Sequence, residues 1–258
     1  DSFCSGTFGL QLKYAGYDAL IVEGRAAEPS YLLIDDDRVS VQPAGHLWGK
    51  LTTDTQETLR QELGDPQAGI ACIGPAGENL VRFACIISDV RAAGTGGVGA
   101  VMGAKNLKAI VARGTQVLRP VSVERIRQVT QAIVEQVRTQ PGAQVLSTYG
   151  TSAGVATLQA MGALPTRNWQ AEVFEAWDDI SGETLRDEHV RRDLACVGCL
   201  TPCGNYSTVE EGEFAGAETV GPEYEAQFAL GSIVGNRRLD ALIKADRLTD
   251  EYGLGQIT

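Results

Sequence analysis

The stretch VSVERIRQVTQAIVEQVRTQ, residues 121–140, decides the class of fold. Val121, Ile126, Val129, Ile133 and Val137 recur at intervals of three to five, the period of an amphipathic helix. Pro141 and Gly142 end it, since proline cannot donate the next helical hydrogen bond. Residues 154–161, 182–189, 224–230 and 238–252 read as further helices. Upstream the texture differs. Residues 19–23 (ALIVE), 31–34 (YLLI), 70–73, 81–87 and 107–112 are apolar runs of strand length, and Asp35, Asp36 and Asp37 turn the chain into RVSVQ, which alternates as a strand does. One surface helix is expected there, over 53–63, with Thr53 as its cap. The expected class is α+β, with a β-rich domain over 1–117 and a mostly α-helical one over 118–258.

Composition narrows the function. A chain of 258 residues, 43% apolar and 21% charged, is neither fibrous nor disordered. Its formal charge of −11 argues against nucleic acid or an anionic membrane as partner. No run of eighteen apolar residues is present, so no membrane insertion is expected. The six cysteines do not make a disulfide framework. Cys72 and Cys85 sit in apolar runs, as small buried hydrophobes do, and Cys4 lies in a Gly/Ser-rich opening. A reducing, cytoplasmic compartment is expected. Both ends read as cut from a longer chain.

The remaining three cysteines, Cys196, Cys199 and Cys203, form Cys-x-x-Cys-x-x-x-Cys. Soft thiolates gathered this closely suit an iron–sulfur cubane or a zinc ion. Zinc favours a second Cys-x-x-Cys or a nearby histidine, and only His189 stands near in sequence, so the spacing fits the cubane better. A second concentration of chemistry is RAAGTGGVGAVMGAKNLKAIV, residues 91–111, whose glycines expose backbone N–H groups to a ligand. No acid stands about twenty positions on, which speaks against a Rossmann fingerprint. A phosphate-bearing or pterin-like ligand is favoured, with Lys105 and Lys108 available to its anionic groups. Tight turns against a sheet are the plainer alternative. In IGPAGENLVRF, Glu78 and Asn79 could bond a heterocycle or cap the next element. In VGPEYEAQFALGSIVGN, Glu223, Tyr224 and Glu225 begin a helix, where acids favour the helix dipole or, if buried, exchange protons near neutrality.

Together the segments AGYDALIVEGRA (15–26), HLWGK (46–50), CIGPAGENLVRFACIISD (72–89), GGVGAVMGAKNLKAI (96–110), GALPTRNWQ (162–170), the cysteine triplet, GPEYE (221–225) and DEYGL (250–254) resemble the tungsten-containing aldehyde ferredoxin oxidoreductase family. The resemblance implies a β base beneath tungsten, or molybdenum, held by two pterins, with helical domains covering it and Mg2+ at the pterin phosphates. It implies a [4Fe–4S] cluster on Cys196, Cys199 and Cys203 with a fourth cysteine outside this sequence. Small aldehydes would be oxidised to carboxylic acids, and electrons passed to ferredoxin or an electron-transfer subunit, in an oligomer. Glu225 and Tyr224 match the acid beside the metal and its neighbour. Asp250, Gly253 and Leu254 match a pterin motif; Thr95, Gly96 and Gly97, with Cys4 and Ser5, match segments that touch a pterin and its phosphate. A related tungsten subunit that reduces aryl-coenzyme A, and a non-catalytic iron–sulfur remnant, are the alternatives. Four departures stand out: Thr95 replaces an arginine, DSFCSG a small polar loop, Gly255 an acid after DEYGL, and Lys244 a glutamate that bridges subunits through metal in some members.

Overall fold

The computed structural model describes residues 1–256, so the last two residues of the expected second domain lie outside it. Two units form: Asp1–Arg119 joined by Thr249–Gln256, and Pro120–Leu248. The return of residues 249–256 to the first unit is not visible in the chain's texture, which assigns them to the helical part.

In the first unit, helix α1 (Phe8–Tyr14) precedes strands β1 (Ser30–Asp35) and β2 (Arg38–Pro43). Helix α2 (Thr52–Leu63), strand β3 (Gly69–Cys72) and the single turn α3 (Pro75–Glu78) follow. A short hairpin, β4 (Ile86–Ser88) and β5 (Arg91–Ala93), leads to helix α4 (Val98–Ala104) and strand β6 (Leu107–Arg113). The six strands lie in the order β2-β1-β6-β3-β4-β5, with only β1 and β6 parallel. Strand alternation sorts the core onto two faces. Tyr31, Leu33, Ala109 and Val111 face Leu47, Leu59 and Ile70, whereas Leu32 and Ile110 face Ile73 and Met102.

Three local expectations are corrected. Residues 19–23 join no strand of the sheet; Val22 packs on the core while Ile21 is exposed. Of residues 81–87, only 86–87 enter a strand. Thr53 does not cap α2. Its N–H and hydroxyl instead donate to Glu251, at 3.2 and 2.8 Å, so an acid 198 residues away occupies the positive helix end.

The second unit holds α5 (Val123–Thr139), α6 (Pro141–Tyr149), α7 (Ala153–Met161) and α8 (Gly182–Glu188). An antiparallel sheet follows, β7 (Val190–Leu194), β8 (Gly204–Thr208) and β9 (Glu218–Val220), then α9 (Tyr224–Ala229) and α10 (Leu239–Tyr252), of which the part up to Leu248 belongs to this unit. Ser122 caps α5 by accepting from Arg125 N, and Pro141 opens α6 directly, where its missing N–H costs nothing. Val155, Leu164, Phe174, Ile180, Leu185 and Leu242 build the core. No residue of α5 is buried, so its apolar stripe lies open. The three-stranded sheet was not legible in a region whose periodicity is helical. Among the described residues, no helix is long and apolar enough to cross a membrane.

Candidate functional site

In the first unit, four segments converge around the glycine turn before α4. Thr95 N donates to Ser2 Oγ at 3.1 Å, which lays the opening loop beside the turn. Cys4 Sγ lies 2.9 Å from Ser5 O and 3.7 Å from Arg91 O on β5. Residues 253–255 run along the same edge: Leu254 bridges Ala84, Cys85 N donates to Gly253 O at 2.9 Å, and Gly255 N donates to Phe83 O at 2.8 Å. Asp250 O accepts from Thr52 Oγ1 at 3.0 Å. The structure thus brings Cys4, Ser5, Thr95, Gly96, Gly97, Asp250, Gly253 and Leu254 to one edge of the sheet.

The glycines divide by what surrounds them. Gly97 has φ 67° and its Cβ would stand 2.1 Å from Arg82 O, so only glycine fits. Around Gly94 and Gly96 a Cβ would meet nothing within 4 Å. The first supports packing; the other two leave an open backbone surface, which fits a flat ligand rich in hydrogen-bonding atoms. A Cβ on Gly255 would stand 2.9 Å from Gly94 O and 3.0 Å from Phe83 O, so this close approach favours the small residue found there over an acid.

Two expected contributors are not at this surface. Lys108 is fully buried, with its Nζ on Lys50 O at 2.9 Å and on Glu78 Oε1 at 2.5 Å. Glu78 also accepts from Gly49 N, and Asn79 Nδ2 donates to Pro75 O at 2.8 Å, so Glu78 serves a buried ion pair and Asn79 closes the end of α3, and neither caps the element that follows. Lys105 Nζ donates to Gly24 O at 3.0 Å.

In the second unit, Cys196, Cys199 and Cys203 lie on the loop between β7 and β8. Cys199 N donates to Cys196 O at 3.0 Å, closing a turn with Gly198 at φ 74°. Cys199 is exposed and the other two are partly so. Cys72 and Cys85 contrast sharply: both are fully buried, and burial pushes each thiol up to about 12, with Asp250 reinforcing the shift at Cys85. The three loop thiols therefore fit a soft-metal donor set, and the buried pair does not. No group of three His, Cys, Asp or Glu among the described residues is set to hold a single metal ion. In a cubane each thiolate holds its own iron, so convergence on one point is not required. His189 is engaged elsewhere, with Nδ1 3.0 Å from Thr208 O.

Glu223 stands at the N-cap of α9, ahead of Tyr224 and a half-buried Glu225. The Tyr224 ring packs on Gly154 and, at 5.2 Å between centroids, on Phe228. Burial and then Glu225 raise its hydroxyl pKa, so the phenol remains a donor at neutral pH. Thr151 Oγ1 accepts from Tyr224 N at 3.1 Å and Ser152 Oγ donates to Pro222 O at 2.9 Å. The sequence carried one hint of this support, Gly150 between α6 and α7, which the helical pattern obscures.

Comparison with known proteins places the chain in a family. The model of the aldehyde ferredoxin oxidoreductase N-terminal domain matches residues 1–114, and that of domains 2 and 3 matches residues 128–258. The chain belongs to the aldehyde ferredoxin oxidoreductase family. The tungsten-containing aldehyde ferredoxin oxidoreductase of Pyrococcus abyssi is 42% identical over 255 residues, covering 98% of this chain and 41% of that one. The WOR-like subunit of aliphatic sulfonate oxidoreductase from Pyrococcus furiosus is 32% identical over 99% of the chain and 43% of its own length. The active-site complex BamBC of benzoyl coenzyme A reductase, solved with 1,5-dienoyl-CoA, superposes with a TM-score of 0.76 at 27% identity, covering 99% of this chain and 40% of that one. This member of the aldehyde ferredoxin oxidoreductase family spans about two fifths of the length of the curated relatives it matches. Its mixed β-rich and helical architecture follows the two family domains, and its lineage is enzymatic.

Proposed function

We propose that this chain is part of an enzyme that oxidises aldehydes to carboxylic acids at a tungsten centre held by two pterins and sends electrons through a [4Fe–4S] cluster to ferredoxin. The observation that carries this is the 42% identity across nearly the whole chain with a relative of that name. The open glycine surface and the accessible thiol triplet support it.

Thr95, Gly96, Gly97, Asp250, Gly253 and Leu254, with Cys4 and Ser5, are the residues that would hold a pterin. Cys196, Cys199 and Cys203 would each give a thiolate to iron. When bound, the metal and its pterins supply a two-electron oxidation, R–CHO + H2O → R–COOH + 2 H+ + 2 e−, and molybdenum would serve in the same way. Tyr224, kept protonated, donates a hydrogen bond to the substrate's carbonyl oxygen and orients it. Glu225 takes the proton of the attacking water and passes it to solvent. An electron-transfer partner and an oligomeric state belong to the same reading.

The test is metal analysis and turnover of the full-length protein. Tungsten or molybdenum with iron, together with aldehyde-dependent ferredoxin reduction, is expected; iron without either heavier metal ends the proposal. A second reading, reduction of an aryl-coenzyme A thioester, is favoured by the similarity to the BamBC complex. Activity with an aryl-coenzyme A thioester and none with aldehydes would select it.

A further inference from the structure

Within the second unit, one four-residue turn grips two functional segments. The turn is residues 149–152, between α6 and α7. On one side it holds the end of the cysteine loop: Asn205 Nδ2 donates to Tyr149 O at 3.3 Å. The Cys203 carbonyl also presses so closely on Gly150 that a Cβ there would stand 2.5 Å from it. Gly150 has φ 63° and ψ −156°, a backbone state that glycine alone adopts readily. On the other side, Thr151 Oγ1 accepts from Tyr224 N and Ser152 Oγ donates to Pro222 O. Asn205 also joins the two sides directly, since its carbonyl accepts from Gly221 N at 2.7 Å.

Asn205 is only 4% exposed, yet its Oδ1 has no hydrogen-bond partner among the described residues. A buried unpaired acceptor is costly, so an asparagine serving only as a structural tie would be expected to use both ends of its amide. It sits two residues from Cys203.

We propose that Asn205 and the 149–152 turn form a bracket that positions Cys203 as a cluster ligand and holds it in fixed register with Tyr224 and Glu225. This rests on the cluster assignment above. Asn205, Gly150 and Thr151 are positioning residues: none touches substrate or iron. The bracket links the exit of electrons to the residues that handle the proton, because one short turn carries both.

The experiment uses the full-length holoprotein. Asn205→Ala, the isosteric Asn205→Asp and Gly150→Ala are compared with the parent by iron per chain, the EPR spectrum of the reduced cluster, its midpoint potential and thermal melting. Asn205→Asp keeps the size but sets a carboxylate against the Tyr149 carbonyl, so it carries the test if Asn205→Ala fails to fold. Iron is expected to fall from about four per chain, or the potential and EPR line shape to shift, in variants that still melt cooperatively. Folded variants with the parent's iron, spectrum and potential overturn the bracket. Thr151→Val should keep the iron and lower kcat about tenfold through misplacement of Tyr224, and Thr151→Ser should restore it; an unchanged kcat in Thr151→Val overturns the link to the acid pair. Cys199→Ala runs alongside. If it retains full iron, the cluster assignment has failed; if it loses iron while the Asn205 variants stay silent, only the bracket has.

Discussion

Cys72 and Cys85 in the first unit and Cys196, Cys199 and Cys203 in the second are the same side chain in opposite circumstances. The first pair is sealed within the sheet and its margin, with both thiols pushed up to about 12 by burial. The triplet rides a loop between two strands, open or half-open to solvent. The chemistry open to a cysteine is therefore set by its surroundings: the buried thiols pack as small hydrophobes, while those of the loop are accessible to a metal. The glycines repeat the lesson, since Gly97 is fixed by a backbone carbonyl and Gly96 has open space around it.

The hardest way to break this contrast is at the loop. Cys199→Ser should abolish the cluster's visible absorption and the full-length protein's ferredoxin-linked activity, and leave Cys72 and Cys85 untouched; a variant that keeps parental iron and absorption would remove the loop from the site. The next largest effect lies in the sealed interior. Glu78→Gln leaves the fully buried Lys108 ammonium without its carboxylate, which should cost about 3–5 kcal/mol. Chemical denaturation would measure it, and a change below about 1 kcal/mol would show that Lys108 is not locked by that pair.

The glycine contrast predicts a smaller gap. Gly97→Ala combines φ 67° with a 2.1 Å clash on Arg82 O, so it should destabilise by more than about 2 kcal/mol. Gly94→Ala meets nothing and should stay within about 0.5 kcal/mol. If Gly94→Ala lowers bound pterin without loss of stability, the open surface is a ligand surface; unchanged pterin content would place the ligand elsewhere.

Alkaline pH gives the mildest probe. Raised thiol pKa values mean that folding favours the protonated form of Cys72 and Cys85. Their contribution is fully present below pH 9 and is lost as pH rises from 9 toward 12. A Cys72→Ala/Cys85→Ala double variant should therefore show a flatter loss of stability over that range. Iodoacetamide at pH 8 should label Cys199 in the cluster-free protein and spare Cys72 and Cys85; labelling of the buried pair without unfolding would contradict their burial.

Much of this was legible in the chain. The three-to-five spacing from Val121 to Val137 gave α5, and the alternation of RVSVQ gave β2, because each element's period is a local property of the backbone. The cysteine triplet and GPEYE stood out as motifs. Other features misled. ALIVE has the composition of a strand but pairs with none, and Lys108 has the charge to meet an anion but is consumed by Glu78. The sheet that carries the cysteine loop also went unseen, since β7, β8 and β9 are only three to five residues long.

By itself the sequence determined the family, the β-rich and helical textures and the candidate ligand residues, for these rest on local periodicity and on residue types at fixed spacing. The tertiary structure alone decided which cysteines are sealed from solvent, which glycines are open, and that Glu251 caps a helix 198 residues upstream. It alone decided that the turn at 149–152 holds both Cys203 and Tyr224. Burial and long-range hydrogen bonds belong to pairs of segments distant in sequence, and no local pattern in either segment records its partner.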